Sequence, residues 1–439
     1  MKNLKSILSA IIMVMFLSVL TSCDPVSPTN SGINPFTNGG NERNMLVVIS
    51  DMHLGADLAY AECKDNLGAL EKLLEQIRVA PNVKELVIAG DLLDEWFVPA
   101  TTDTYEGKDQ SDFVQRIAET NKGVFDALNR IIQAQEILVT YIPGNHDLTI
   151  TAENVDLILP GINQARDVLG LGTYSPAYLP EMAIEHCHRY CFFCSPDPIS
   201  NQDVAPGTIT PPGYFFTRIA TLHVVQNCHT AGDTILVVTP NTSGNESQNL
   251  LFEYWKNWKT TLIELPIENM FDENIIVTNV DGFSETYAVN DLLPFQLTPG
   301  GFIDVNLFNG IQDTWDERQM LNMVAVNIPV AQAIANVFET SHLDDQAKVQ
   351  YFMNPNSNKR IVVFGHTHDA KIISSENYNG QKSIYANSGT WIDHNPNRTT
   401  MNFVVITPQN ADVSSQTYVK LYNFEGEVVT KMAEDSLRY

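Results

Sequence analysis

Apolar and polar positions alternate in blocks along this chain. Short runs rich in Val and Ile, at residues 45–50, 86–89, 137–142 and 361–364, are bounded by Gly or Asp and predict buried strands. Between the first two, Leu67, Leu70, Leu74 and Ile77 recur at helical spacing before Pro81. Phe113, Ile117, Val124, Leu128 and Ile131 do the same before the third. Strand, helix, strand, helix, strand predicts an α/β fold. From about 195 to 356 the pattern loosens. Pro196, Pro198, Pro206, Pro211 and Pro212 punctuate its start, and strands predicted at 234–238 and 275–280 alternate with helices. There Phe252, Trp255 and Trp258 form a stripe at helical spacing, which predicts packing of this stretch onto the main body rather than substrate stacking. Residues 403–406 and 419–422 predict strands that close a sheet and not a separate domain. No internal repeat is present.

Each of the four runs ends in polar residues that carry chemistry: Asp51-Met52-His53, Gly90-Asp91, Gly144-Asn145-His146-Asp147 and Gly365-His366-Thr367-His368. Strands of a buried α/β sheet deliver such residues to the sheet's C-terminal edge, where ligand sites of these folds gather. Carboxylates, imidazoles and one amide around a single point suit a pair of hard-to-borderline metal ions, not one structural zinc.

These motifs, in this order and at strand ends, resemble those of the calcineurin-like metallophosphoesterases. A further family element, a His that ends a mid-chain strand, is matched by Ile184-Glu185-His186. The resemblance covers roughly residues 45–195 and 355–400. It implies a four-layer αββα sandwich, with two sheets stacked face to face and helices outside. It also implies two divalent or mixed-valence ions such as Mn, Fe or Zn. By the family pattern Asp51, His53, Asp91 and His368 hold one ion; Asp91, Asn145, His186 and His366 hold the other, with Asp91 bridging. Two ions of about +4, two carboxylates of about −2 and a bridging hydroxide of about −1 leave the site near +1, which suits a phosphate anion. The same pattern makes His146 the group that steadies the transition state and protonates the leaving oxygen, with Asp147 as the residue that orients it. Asn387 sits where the family often ends another strand near the metals.

Departures from the pattern narrow the branch. Purple acid phosphatases carry Tyr three residues after the bridging Asp, and Asp94 stands there instead, which argues against ferric-tyrosinate chemistry. The segments Ser50-Asp51-Met52-His53-Leu54-Gly55 and Gly90-Asp91-Leu92-Leu93-Asp94-Glu95-Trp96 are similar to UDP-diacylglucosamine pyrophosphatases. Those enzymes usually place Arg at the His146 position and work at the cytoplasmic membrane face. After His186, Cys187 and Cys191 replace a Gly and an Asp of one family version. One ligand His beside a loop disulfide or free thiols accounts for Cys187, His188, Cys191 and Cys194 better than a separate zinc site does, since no second pair of matching spacing exists. His223, His229, His342 and His394 lack motif company and are expected to be surface or core residues.

The ends and the charge add location. Lys2 and Lys5 precede an apolar stretch that is too short to span a bilayer comfortably, and Leu20-Thr21-Ser22-Cys23 resembles a bacterial lipobox. Residues 1–22 are thus expected to be a lipoprotein signal peptide, with Cys23 lipidated. Residues 24–44, rich in Pro, Ser, Thr, Asn and Gly, are expected to form a flexible tether of about 25 Å. Residues 45–439 would then be one domain, with a cap-like insertion over 196–356. The net charge of −26 repels nucleic-acid phosphates, but a local pair of divalent ions still admits a small phosphoester. Apart from Cys23 there are Cys63, Cys187, Cys191, Cys194 and Cys228, an odd number, so at least one thiol stays free, pairs between chains or binds metal. The expectation is a membrane-tethered, extracytoplasmic phosphohydrolase that uses a metal-bound hydroxide, on phosphodiesters ahead of monoesters. The rivals are a pyrophosphate hydrolase of a nucleotide-sugar or lipid-linked substrate, and a non-catalytic binding lipoprotein, which the complete ligand set disfavours.

Overall fold

The computed structural model describes residues 33–410 and 414–438. The expected signal peptide and Cys23 lie outside the described residues. Among the described residues no helix is long and apolar enough to cross a membrane.

The chain opens with strand β1 (Met45–Ile49), helix α1 (Leu67–Arg78) and β2 (Val83–Ala89), followed by α2 (Gln110–Thr120), α3 (Lys122–Ala134) and β3 (Leu138–Ile142). Then come α4 (Ala152–Ile158), β4 (Asn163–Gln164), β5 (Thr173–Tyr174) and β6 (Met182–Glu185). The inserted region holds the long helices α5 (Pro212–Gln226) and α6 (Glu246–Glu264) and the short α7 (Trp315–Leu321), α8 (Val330–Ala335) and α9 (Thr340–Asp344). Its strands are short: β7 (Asn274–Val277), β8 (Thr286–Ala288), β9 (Phe295–Gln296) and β10 (Ile303–Asp304). Beyond it lie β11 (Ile361–Phe364), β12 (Lys371–Glu376), β13 (Lys382–Asn387), β14 (Asn402–Thr407), β15 (Thr417–Asn423) and β16 (Thr430–Leu437).

Two mixed sheets form the body. One runs β16-β15-β14-β1-β2-β3-β4 and the other β12-β13-β11-β6-β5. They face each other across one apolar layer: Leu46, Val48, Val87, Ala89 and Ile142 of the first sheet meet Met182, Ile184, Ile361, Val363, Ile384 and Ala386 of the second. The alternate residues of β1 and β2, such as Val47, Ile49 and Ile88, turn outward onto Leu70, Leu73, Leu74 and Ile77 of α1. Residues of both faces are therefore buried, which is why these strands read as continuous apolar runs. On the far face of the second sheet, Val362 and Phe364 pack with Phe352 and Tyr351, which lie on a π-helical turn at Ala347–Phe352. The order is helix, sheet, sheet, helix, the mixed α/β architecture that the resemblance implies.

Several local expectations change. The single apolar period over 113–131 belongs to two helices, broken at Asn121, whose side chain donates to the carbonyls of Gly55 and Ile117. Residues 234–238 form no strand: Leu236 and Val237 face solvent, and Thr239 bonds the side chain of Gln296 in place of a ladder. The tether does not extend over 33–44. Phe36 is buried and stacks on Phe403 at 5.8 Å, and Arg43 donates to the Val83 carbonyl at 2.8 Å. The 252–258 stripe lies on α6, but its ring contacts stay within the inserted region rather than reaching the main body: Trp258 stacks on Phe216 of α5, and Phe252 on Trp255 of the same helix.

Candidate metal centre

Six strand ends meet at one edge of the two sheets. Asp51 and His53 follow β1, Asp91 follows β2, Asn145 and His146 follow β3, and His186 follows β6. His366 and His368 follow β11, and Asn387 ends β13. Parallel pairing of β1-β2-β3 and of β6-β11-β13 points all of these ends the same way. The local backbone is unusual. Asp51, His53, Asp91, His366 and His368 all have φ between 47° and 67°, the left-handed region that non-glycine residues seldom adopt. Such conformations persist only where the surroundings impose them, and they gather at functional sites.

The side chains converge. Nε2 of His186 is 3.0 Å from Asp91 Oδ2, and Nε2 of His53 is 3.5 Å from the same oxygen. Nε2 of His368 is 3.1 Å from Asp51 Oδ1 and 3.2 Å from Nε2 of His53. Asn145 Oδ1 lies 3.1 Å from His186 Nε2. Two groups capable of holding an ion result, Asp51 with His53 and His368, and Asp91 with His186 and His366. Asp91 Oδ2 stands between them. All of these residues are buried.

The far nitrogens show why the set fits a metal. His186 Nδ1 bonds the Ala89 carbonyl at 2.9 Å, so it carries the hydrogen and leaves the Nε2 lone pair for the centre. His53 Nδ1 is fixed likewise by Asp94 Oδ2 at 3.1 Å and Glu62 Oε2 at 3.3 Å. The Nε2 atoms of His53 and His368 lie 3.2 Å apart, each also close to a carboxylate oxygen, Asp91 Oδ2 and Asp51 Oδ1, and this set of imidazole and carboxylate donors fits a divalent cation. Burial works to raise the Asp91 carboxyl, yet the imidazoles of His186 and His146 hold it well below the usual range. Burial works to lower His186, but Asp91 and then Asp51 lift it to about 9. Glu62 is pushed up to about 7 by burial, against the pull of His53.

His146 lies at the rim. Its backbone N–H donates to Asp91 Oδ1 at 2.9 Å, and its Nδ1 bonds Asp94 Oδ1 at 2.8 Å. The expected orienting residue, Asp147, does something else. Its two oxygens accept the N–H groups of Gly144 at 2.6 Å, Leu92 at 2.9 Å and Leu93 at 3.1 Å, so it ties the β2 and β3 loops together. Adjacent residues point differently, and the side chain that reaches the His146 ring comes from Asp94. That carboxylate also takes the N–H groups of Trp96 and Phe97. Asp94 was visible three residues after Asp91, but only as a missing Tyr; Glu62 carries no motif and reaches His53 through the loop after β1. Asn387 donates to the Gly365 carbonyl at 2.8 Å and to Thr367 Oγ1 at 3.0 Å, which fastens the loop that carries His366 and His368.

All five described cysteines are free thiols. Besides a group formed by His53, Glu62, Asp94 and His146, Cys191 and Cys194 gather with His366 in a further group that could hold an ion, and His188 is not part of it. His188 is buried, and neither of its ring nitrogens makes a hydrogen bond among the described residues. His223 is a core residue bonded to the Pro266 carbonyl, and His342 is also buried, on α9.

Asp91, Asn145, His146 and His366 open into a cavity whose other walls include Trp96, Phe193 and Phe216. Residues 45–191 match the family model described as calcineurin-like phosphoesterase. No curated protein matches the chain. With that match, and with the strand-end residues in this geometry, residues 45–191 carry a calcineurin-like phosphoesterase domain, the mark of a phosphoric ester hydrolase.

Proposed function

We propose that this chain cleaves phosphoesters with a dinuclear metal centre, outside the cytoplasm, from a lipid anchor on Cys23. The observation that carries the reading is Asp91 Oδ2, which sits 3.0 Å from one ligand imidazole and 3.5 Å from another that belongs to a different cluster. Asp51, His53, Asp91 and His368 would hold one ion; Asp91, Asn145, His186 and His366 would hold the other. When bound, two divalent ions such as Mn, Fe or Zn supply charge for the phosphoryl oxygens and lower the pKa of water.

The chain's own groups do the rest. Asp94 receives the Nδ1 hydrogen of His146, which leaves Nε2 to hold a proton for the leaving oxygen. Burial works to lower the His146 imidazole, but Asp94 raises it above its ordinary value, which favours the protonated ring. Trp96 lies beside the ring, centroids 4.9 Å apart, and shields it from water. Residues 196–356 act as a cap, since Phe216, Val337 and Phe338 of this stretch face the same cavity as Asp91 and His146.

The test is to strip the detergent-solubilised full chain, reload it with Mn, Fe or Zn, and count ions while phosphodiester, phosphomonoester and pyrophosphate substrates are offered. Two ions per chain and preferential ester cleavage are expected, with Asp91→Ala losing both ions and essentially all turnover. A single ion per active chain overturns the dinuclear reading. A preference for pyrophosphate favours the nucleotide-sugar or lipid-linked rival, and tight ions without turnover favour a binding protein.

A further inference from the structure

The cavity beside the candidate metal centre has two unlike kinds of lining. Asp91, Asn145, His146 and His366 contribute the charged and amide groups; Trp96, Phe193, Phe216, Val337, Phe338 and Leu343 supply most of the remaining wall, beside two cysteines and three threonines. No Lys or Arg stands among the described residues that line it. A nucleoside or sugar would bring several hydroxyl and ring polar atoms into these walls, where beside two thiols only the hydroxyls of Thr217, Thr340 and Thr367 are on offer, and these already bond Gly213, Arg398 and Asp344. Each polar atom buried there without a partner weakens binding. An apolar group meets no such penalty.

The chamber is built rather than incidental. On one side Arg218 of α5, itself fully buried, donates to the carbonyls of Val98 at 2.7 Å and Pro99 at 3.1 Å, which follow Trp96. On the other, Asp344 of α9 accepts from Thr367 Oγ1 at 3.1 Å, from Lys371 at 2.7 Å and from the Tyr385 hydroxyl. Arg398 spans the Thr367 carbonyl and Thr340 Oγ1, both at 3.2 Å. The inserted wall is thus pinned to the very loop that bears His366 and His368. Its orientation also follows: Trp96 lies against His146, so the apolar lining begins where the leaving oxygen would be protonated.

We propose that the alcohol released by this enzyme is hydrophobic, an aliphatic or aryl-alkyl group seated in this chamber, and not a nucleoside or a sugar. The proposal rests on the phosphohydrolase reading above and narrows its substrate. Hydrolysis breaks the phosphorus–oxygen bond to that alcohol and forms one to the oxygen of water. Of the two water protons, one is accounted for on the phosphate and one ends on the alcohol by way of His146.

The experiment has a turnover arm and a binding arm, both with the metal-loaded full chain. In the first, n-alkyl phosphates from ethyl to octyl, ω-phenylalkyl phosphates and their methyl diesters are compared with a nucleoside monophosphate and a sugar phosphate, and the released alcohol is identified. kcat/KM should climb with chain length by up to about fourfold per methylene until the chamber is full. The polar substrates should fall well below octyl phosphate, and methyl diesters should release the longer alcohol. The phenylalkyl arm tells an aryl-alkyl occupant from a purely aliphatic one. Phe338→Ser, at a half-buried wall position, should lower the octyl-to-ethyl ratio at least threefold. In the second arm n-alkyl phosphonates, which cannot be hydrolysed, are titrated by calorimetry, and Kd should fall with chain length. Esters cleaved at rates indifferent to chain length, with phosphonate affinity equally flat, would overturn the hydrophobic alcohol and leave the phosphohydrolase standing. If no ester is cleaved but phosphonate affinity still rises with length, the hydrolase reading fails while the chamber's preference survives.

Discussion

At the scale of residues, Asp94 is the group through which the others act. One of its oxygens meets His146 Nδ1 and the other meets His53 Nδ1, so a single carboxylate sets both tautomers. Asp94→Asn should therefore lower turnover by roughly ten- to a hundredfold. His146→Asn should cost about a hundredfold or more while metal content stays nearly intact. In both variants the loss should be smallest for nitrophenyl esters, whose leaving group departs with little protonation, and largest for alkyl esters. Asp147→Asn should instead lower the melting temperature, because its charge is held by backbone N–H groups, and should leave that leaving-group dependence unaltered. Rate ratios across a leaving-group series decide the matter, and a series that bends for Asp147→Asn but stays flat for Asp94→Asn would restore the sequence expectation.

The His186 proton gives a second residue-scale expectation. Its folded-state pKa of about 9 exceeds the ordinary 6.5, so in the metal-free protein the stabilising pair with Asp91 is fully present below pH 6.5. It is lost as pH rises through 9. An ion needs the neutral ring, so binding at pH 7.5 must expel this proton, and apparent affinity should grow between pH 6.5 and 9. Calorimetry in two buffers of different ionisation enthalpy measures the release; finding none would contradict the assignment of His186 as a ligand.

At the scale of elements, each strand ends in a tight turn that lets a backbone pass close to a ligand side chain. Gly90 follows β2 with φ of 91°, and a Cβ there would lie 2.3 Å from His186 Nδ1. Gly144 follows β3, where a Cβ would lie 2.1 Å from Asp91 Oδ1. Gly90→Ala should push the His186 ring aside and empty the position it shares with Asp91 and His366, while circular dichroism still reports a folded chain. Elemental analysis that finds two ions per Gly90→Ala chain would show that the ring is not needed there. The same turns explain what was legible in advance. A short Val- and Ile-rich run that stops at Gly or Asp gives away both the strand and its functional end. The break at Asn121 between α2 and α3 was not legible, since Phe113 through Ile131 keep one apolar period across it.

At the scale of the whole molecule, the two sheets and the inserted region divide the work. The sheets bring the ligands together, and Arg218 and Asp344 pin the insertion over them. The proposed attachment concerns another part of the chain. If Cys23 carries lipid, Cys23→Ser should move the protein from the membrane fraction to the soluble one, and unchanged sedimentation with membranes would sink the anchor. The net charge of −26 repels polyanions, and the positive potential a phosphoester needs would come from the proposed ions.

What the sequence determined was the α/β class, the strand ends and the identity of Asp51, His53, Asp91, Asn145, His146, His186, His366 and His368, because strand runs and short motifs are local and encode their chemistry in adjacent residues. What only the tertiary structure decided was pairing in space. That Asp94 and not Asp147 reaches His146, that Glu62 reaches His53, and that Trp96, Phe193 and Phe338 share one wall all depend on long-range packing. The directions in which side chains leave their turns are set by the layers around them, and residues as distant as Trp96 and Phe338 become neighbours only once those layers close.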